Sequence, residues 1–216
     1  MALCLIWPGI RCYQRAARLT RIPGSLLRCL PIRRLLAALL LLPATALAGE
    51  ILASSVNHDG EGYTLSITAR IDAPPDTVYR SITDFDNLAA INPAIEESRL
   101  LGAPQPDTRR VRSVIRVCIL VFCKRVVQVQ DVTLLPGYAI VAVILPERSD
   151  FRSGIARWQL TPSGSATELL FSNSFVPDFW VPPVIGPWLI KRKLVWEVTE
   201  TAMYIEESDN DRAQRN

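Results

Sequence analysis

The chain has 216 residues, 49% hydrophobic and 21% charged, with a formal net charge of +3, a balance that suits one globular domain with an extension. The basic excess lies in the extension: residues 1–48 hold seven of the 24 basic residues and none of the 21 acidic ones, which leaves 17 against 21, a net of −4, for the rest. A nucleic-acid partner calls for a basic face on the domain itself, so none is expected.

The extension has the parts of a secretory signal peptide in order. Arg33 and Arg34 precede the apolar run LLAALLLLPATALA, which closes on the small-x-small triplet Ala46, Leu47, Ala48. The run falls short of the ~20 apolar residues a spanning helix needs. Cleavage is expected after Ala48, giving an exported, periplasmic protein of 216 − 48 = 168 residues. An uncleaved membrane anchor is the alternative, and Pro43 and the short core weigh against it. The pair Arg33 and Arg34 lacks the rest of a twin-arginine motif, and residues 1–30 show no period. Cys4, Cys12 and Cys29 lie before the cut, so Cys118 and Cys123 remain. Two cysteines in an oxidising compartment invite one bond.

Beyond the cut, ILASSVNHDGEGYTLSITARID reads as a hairpin, with a turn at Asp59 and Gly60 and with Leu65, Ile67, Ala69 and Ile71 alternating against polar neighbours. Pro74 and Pro75 break it. Val78, Ile82 and Phe85 then stand at helical spacing, and two short helices are expected to end by Pro93. From Ile95 to Val176, short runs rich in Val, Ile, Leu, Thr and Arg alternate with Gly and Pro breaks, which predicts a meander of about six strands. The stretch FVPDFWVPPVIGPWLIKRKLVWEVTETAMYI, from Phe175 to Ile205, has two halves. An aromatic, proline-rich lead-in is followed by Ile190, Leu194, Val198 and Ala202 at four-residue intervals, the pattern of an amphipathic helix laid on a sheet. Pro187 suits its first turn. Ser208 to Asn216 read as a polar, frayed tail. The fold class is therefore α+β: a curved antiparallel sheet of about seven strands around a long C-terminal helix, with two short helices after the first strand.

Strand parity nominates a lining. Arg110, Arg112 and Arg116 share one face, so Val111, Ser113, Ile115 and Val117 face the helix. Trp158 travels with Ala156 and Leu160, and Phe171 with Leu169, Asn173 and Phe175. The amide of Asn173 needs a partner if buried, which a ligand's polar head would supply. An ordinary filled core is the alternative. Phe179, Trp180 and Trp188 form a hydrophobic rim suited to a bilayer, with Lys191, Arg192 and Lys193 beside it, although such a charge run is also the wet side of many helices.

Cys118 and Cys123 depend on the strand between them. In one unbroken strand their odd separation puts them on opposite faces, about 16 Å apart at ~3.3 Å per residue, beyond a disulfide. With Ile119 to Phe122 as a four-residue turn they stand opposite each other. A strand unbroken from Arg109 to Leu135 would far exceed the usual length, so a structural disulfide at a hairpin tip is expected, even though Ile-Leu-Val-Phe is a poor turn sequence.

The segments ITARIDAPPDTVYRSITDFDNLAAINPAIEESRLL and FRSGIARWQLTPSGSATELLFSNSF, with the final helix, resemble the START-like or SRPBCC superfamily. The likeness is to its polyketide cyclase/dehydrase and coenzyme-Q-binding branch and covers most of residues 60–205. It implies a helix-grip fold over residues 49–207 with an apolar cavity between sheet and C-terminal helix, used for lipids, quinones or polyketides. The expected ligand contacts are Ile115, Val117, Trp158, Phe171, Asn173, Phe175, Leu194 and Val198. His58 is the chain's one histidine and lies beside a predicted turn; Asp84 and Asp86 suit a helix end, and Glu96 and Glu97 a solvated strand start. No catalytic residue, metal site or cofactor is therefore expected. The function expected is an exported, non-enzymatic carrier or sensor of a hydrophobic small molecule, with a transient membrane contact. The alternative is a cyclase/dehydrase-type enzyme acting on a polyketide-like substrate in the same cavity.

Overall fold

The alternation in the front hairpin is the seed of the core. In the computed structural model, which describes residues 49–119 and 122–215, β1 (Glu50–Asp59) and β2 (Gly62–Ile71) pair across that turn. Tyr63, Leu65, Ile67, Ala69 and Ile71 are all buried on one side of β2, as a period of two requires. The expected leader and its cleavage site lie outside the described residues.

Two short helices follow, α1 (Pro75–Ile82) and α2 (Leu88–Ile91). Pro75 opens α1, where its missing N–H leaves no orphan. Six strands come next: β3 (Ile95–Gln105), β4 (Thr108–Ile119), β5 (Phe122–Leu135), β6 (Ala139–Ile144), β7 (Phe151–Ser163) and β8 (Ala166–Pro177). They form one antiparallel sheet in the order β1-β2-β8-β7-β6-β5-β4-β3. The sheet is curved, and the layout is the helix-grip fold. Both strands of the front hairpin join it, so it has eight strands, and the two short helices follow the second.

The last helix, α3 (Gly186–Arg215), starts one residue before Pro187. It continues through 208–215, the segment expected as a frayed tail. Its buried positions are Gly186, Ala202, Ile205 and Glu206. Ala202 and Ile205 join the main core cluster with Leu65, Ile71, Val111, Val132, Leu160 and Phe171. Around Leu194 and Val198 the helix is only half-buried. At its start, a Cβ on Gly186 would stand 2.8 Å from Val181 Cγ1 and 3.0 Å from the Tyr63 hydroxyl. Only glycine lets the helix settle this close to β2.

Two carboxylates fix the far end of α3. Glu206 Oε1 accepts the N–H of Gly49 at 3.1 Å and that of Asp72 at 2.8 Å. The Thr77 hydroxyl of α1 donates to Asp209 Oδ1 at 3.0 Å.

The β4–β5 hairpin carries the expected disulfide, Cys118 to Cys123, with Cα atoms 4.0 Å apart. The ladder runs one pair further than expected, to Ile119 opposite Phe122, so these two residues belong to the strands and not to a four-residue turn.

Candidate functional site

Between the half-buried stretch of α3 and the concave sheet lies a cavity of about 300 Å³. That volume is at the small end of ligand pockets. Its walls follow from parity. From β4 come Ser113, Ile115 and Val117, from β5 Gln128, Gln130 and Val132, from β7 Ala156 and Trp158, and from β8 Leu169, Phe171, Asn173 and Phe175. α3 closes it from Leu189 to Ile205, which at ~1.5 Å per residue is about 24 Å of helix. Phe85, Leu88 and Ile91, in and before α2, cover the side next to β3.

All eight residues nominated as ligand contacts, Ile115, Val117, Trp158, Phe171, Asn173, Phe175, Leu194 and Val198, line this cavity. Trp158 and Phe171 are cross-strand partners with ring centroids 5.0 Å apart. Phe175 meets Phe151 edge-on at 5.9 Å, and Phe151 meets Phe179 at 5.8 Å. Asn173 is half-buried and faces the cavity; it is not locked in the core.

The rim divides. Trp180 and Trp188 are 75% and 58% exposed, beside Val184 at 89%. The Arg192 guanidinium stands over the Trp188 ring, 5.4 Å from its centroid. Phe179 turns inward instead: it packs on Phe151, lines the cavity and has the Lys124 ammonium 5.2 Å from its ring centroid. Its partner Phe151 offers it a buried aromatic surface that Trp180, one residue on, cannot reach.

The polar residues sort as follows. His58 Nδ1 is 2.8 Å from the Gly62 carbonyl and its ring stacks on Tyr63, so it stays with the hairpin. Asp84 takes the Asn87 amide at 2.9 Å, and Asp86 Oδ1 accepts the N–H of Leu100 at 2.8 Å; both close the loop around α2. Glu96 and Glu97 belong to an ion-pair lattice with Arg112, Arg116 and Arg125. Hydrogen bonds from Arg116 hold Glu96, and from Arg125 hold Glu97, below the usual carboxylate range. Arg110 forks onto Asp131 with two bonds of 2.7 Å, which lowers the Asp131 carboxyl likewise.

Sequence reasoning missed the polar part of the cavity wall: Gln128 and Gln130 on β5, and Lys193 with Glu197 on α3. The signals were present. Gln128 and Gln130 share parity with Val126 and Val132, and Lys193 and Glu197 flank the Ile190, Leu194, Val198 stripe one position away. Among the described residues, no group of three or more His, Cys, Asp or Glu side chains is placed to hold a metal.

A family described as "Polyketide cyclase / dehydrase and lipid transport" matches residues 63–203, well over half the chain. The chain belongs to this family. The START-like resemblance of the sequence agrees with this membership. Solved structures agree on the fold. The Zhui aromatase/cyclase from Streptomyces sp. R1128 matches with 18% identity over 67% of this chain and 94% of its own, TM-score 0.55. A START superfamily protein from Mycobacterium smegmatis matches with 18% identity over 68% and 97%, TM-score 0.54. A STAR-related lipid transfer protein from Xanthomonas axonopodis matches with 15% identity over 73% and 98%, TM-score 0.51. At these identities the likeness concerns the fold alone. No curated protein matches the chain.

Proposed function

We propose that this polyketide cyclase/dehydrase and lipid transport family member is an exported, non-enzymatic carrier or sensor that holds a hydrophobic, lipid-like small molecule between sheet and α3. The observation that carries this reading is the cavity: aliphatic and aromatic side chains of both the sheet and α3 make up most of its walls, and the helix that closes it is buried at its two ends and not between them. Burial of apolar surface at ~25 cal/mol per Å² is the driving force such walls supply. Among the described residues, the titratable side chains on the wall, apart from the disulfide-bonded Cys118, are Lys193 and Glu197. They sit on one helix turn, which suits binding better than a two-sided acid–base reaction.

Three features support export. The leader has the order of a signal peptide, Cys118 and Cys123 are joined, as suits an oxidising compartment, and the Gly49 nitrogen faces the buried Glu206 carboxylate at 3.1 Å. A chain cut after Ala48 sets its new ammonium group against that charge. The intact mass of protein recovered from its own host tests this: a start at Gly49 is expected, and a retained leader in soluble protein overturns it.

Trp180, Val184 and Trp188, with the exposed Lys191 and Arg192, favour a bilayer contact at the cavity mouth during ligand exchange. Anionic liposomes should sediment wild type and lose Trp188→Ser; equal binding by both, or none by either, removes the contact. The second reading, an enzyme for a polyketide-like substrate, is favoured by the family description. Native mass spectrometry of protein purified from its host decides between them. A retained molecule that stays unchanged on incubation is expected; conversion of that molecule installs the enzyme.

A further inference from the structure

An apolar ligand alone gives Lys193 and Glu197 nothing to do. They line the cavity one turn apart, Nζ 2.6 Å from Oε1, with side chains only 24% and 13% exposed. The ammonium stands at ion-pair distance but off the direction a hydrogen bond needs. The buried Oε1 therefore has no partner among the described residues besides that ammonium. Helix stability does not account for the pair, because Lys before Glu is the weaker order along a helix. Sinking both groups into an apolar wall costs more than leaving them in water.

We propose that Lys193 and Glu197 are the seat for the ligand's polar head, and that the head is an uncharged hydroxyl on a hydrophobic body: a long-chain or polycyclic alcohol or a phenol. This deepens the carrier reading and rests on it. The pair is neutral overall, so an anionic head meets Glu197 and a cationic head meets Lys193, each at a distance where like charges repel. A hydroxyl suits both at once: its O–H donates to the Glu197 carboxylate and its oxygen accepts from Lys193. A ketone, ester or quinone carbonyl accepts from Lys193 but offers the Glu197 carboxylate no donor. A site built to bond a hydroxyl discriminates against analogues lacking it, because its own buried polar atoms are then unpaired. Ser113, Gln128 and Gln130 supply a second polar patch on the β4–β5 wall, where the Gln128 amide already donates to Gln130 at 3.0 Å. That patch is at least partly self-satisfied, so the donor-poor carboxylate on α3 is where the head belongs.

Displacement of the neutral fluorescent probe N-phenyl-1-naphthylamine tests this with 1-dodecanol, 2-dodecanone and dodecanoate as competitors. Each is ranked within each protein, so that changes in probe affinity cancel. Wild type should prefer 1-dodecanol over the other two by about tenfold or more. Glu197→Gln should bring alcohol and ketone within about threefold, and Lys193→Met should reduce the preference as well, with thermal unfolding confirming that both variants fold. Probe binding without a preference for the alcohol, or an unchanged preference in both variants, overturns the head-group seat and leaves the carrier standing. Failure of wild type to bind the probe or any competitor overturns the carrier reading itself.

Discussion

Glu206 is 5% exposed and holds two backbone N–H groups on one oxygen, at positions 157 and 134 residues away in sequence. It ties the start of β1 and the end of β2 to α3. Truncation to alanine leaves one buried donor, Gly49, and one part-buried donor, Asp72, without a partner, at roughly 1–3 kcal/mol for a buried one and less for the other. Glu206→Ala should therefore lower the unfolding temperature by about 5–15 °C, and Glu206→Gln, which keeps an acceptor, by less than half as much. Falls of under ~2 °C in both would remove this role. Nothing in the local pattern sets Glu206 apart from its neighbour Glu207, because its partners are backbone groups brought near only by the complete fold. The lining residues were legible for the opposite reason. Parity on a strand and 3.6-residue spacing on a helix are local, so Ile115, Trp158, Phe171 and Val198 could be placed before any tertiary contact was known. Phe179 lies in a segment with no period, and its inward turn depends on Phe151.

At the scale of elements, the β4–β5 hairpin and the outer ion lattice make separate predictions. The Cys118–Cys123 bond closes a short loop, for which chain entropy gives about 2 kcal/mol. The double variant with both cysteines as serine should melt about 4–8 °C lower; an unchanged melting temperature would mean that the poor turn sequence needs no clamp. Glu96 and Glu97 have folded-state pKa values below the ordinary glutamate value of 4.5. Their contribution is present above that pH and lost as pH falls through the folded values. Acidification below 4.5 should therefore destabilise wild type more than the paired variant Glu96→Gln with Glu97→Gln, and high salt should shrink the difference. Parallel melting curves of the two proteins against pH would show that the lattice contributes nothing. Beyond Gly186, helix α3 is buried at Ala202, Ile205 and Glu206, whereas Leu189 to Val198 holds no buried residue. Amide exchange should accordingly be slower at 198–206 than at 188–195. Uniform protection along the helix would contradict opening from the cavity end.

For the whole molecule, the layout was legible because a hairpin, a meander of β-branched runs and one long amphipathic helix admit few arrangements. The cavity was not, since a strand's lining face looks the same whether the space opposite is filled or open. What decides it is how far α3 sinks: Ala202 and Ile205 are fully buried in the core, whereas Leu194 and Val198 pack on its edge, half-buried, and line the space together with Ser113 and Ala156. The central claim is that this space takes up a hydrophobic molecule. Titration of N-phenyl-1-naphthylamine against wild type and Val198→Trp, with circular dichroism to confirm the fold of both, tests it most directly. Saturable one-to-one binding by wild type, weakened at least tenfold by an indole that intrudes into the cavity, is the expected result. Equal binding by the two folded proteins, or none by wild type, would contradict it.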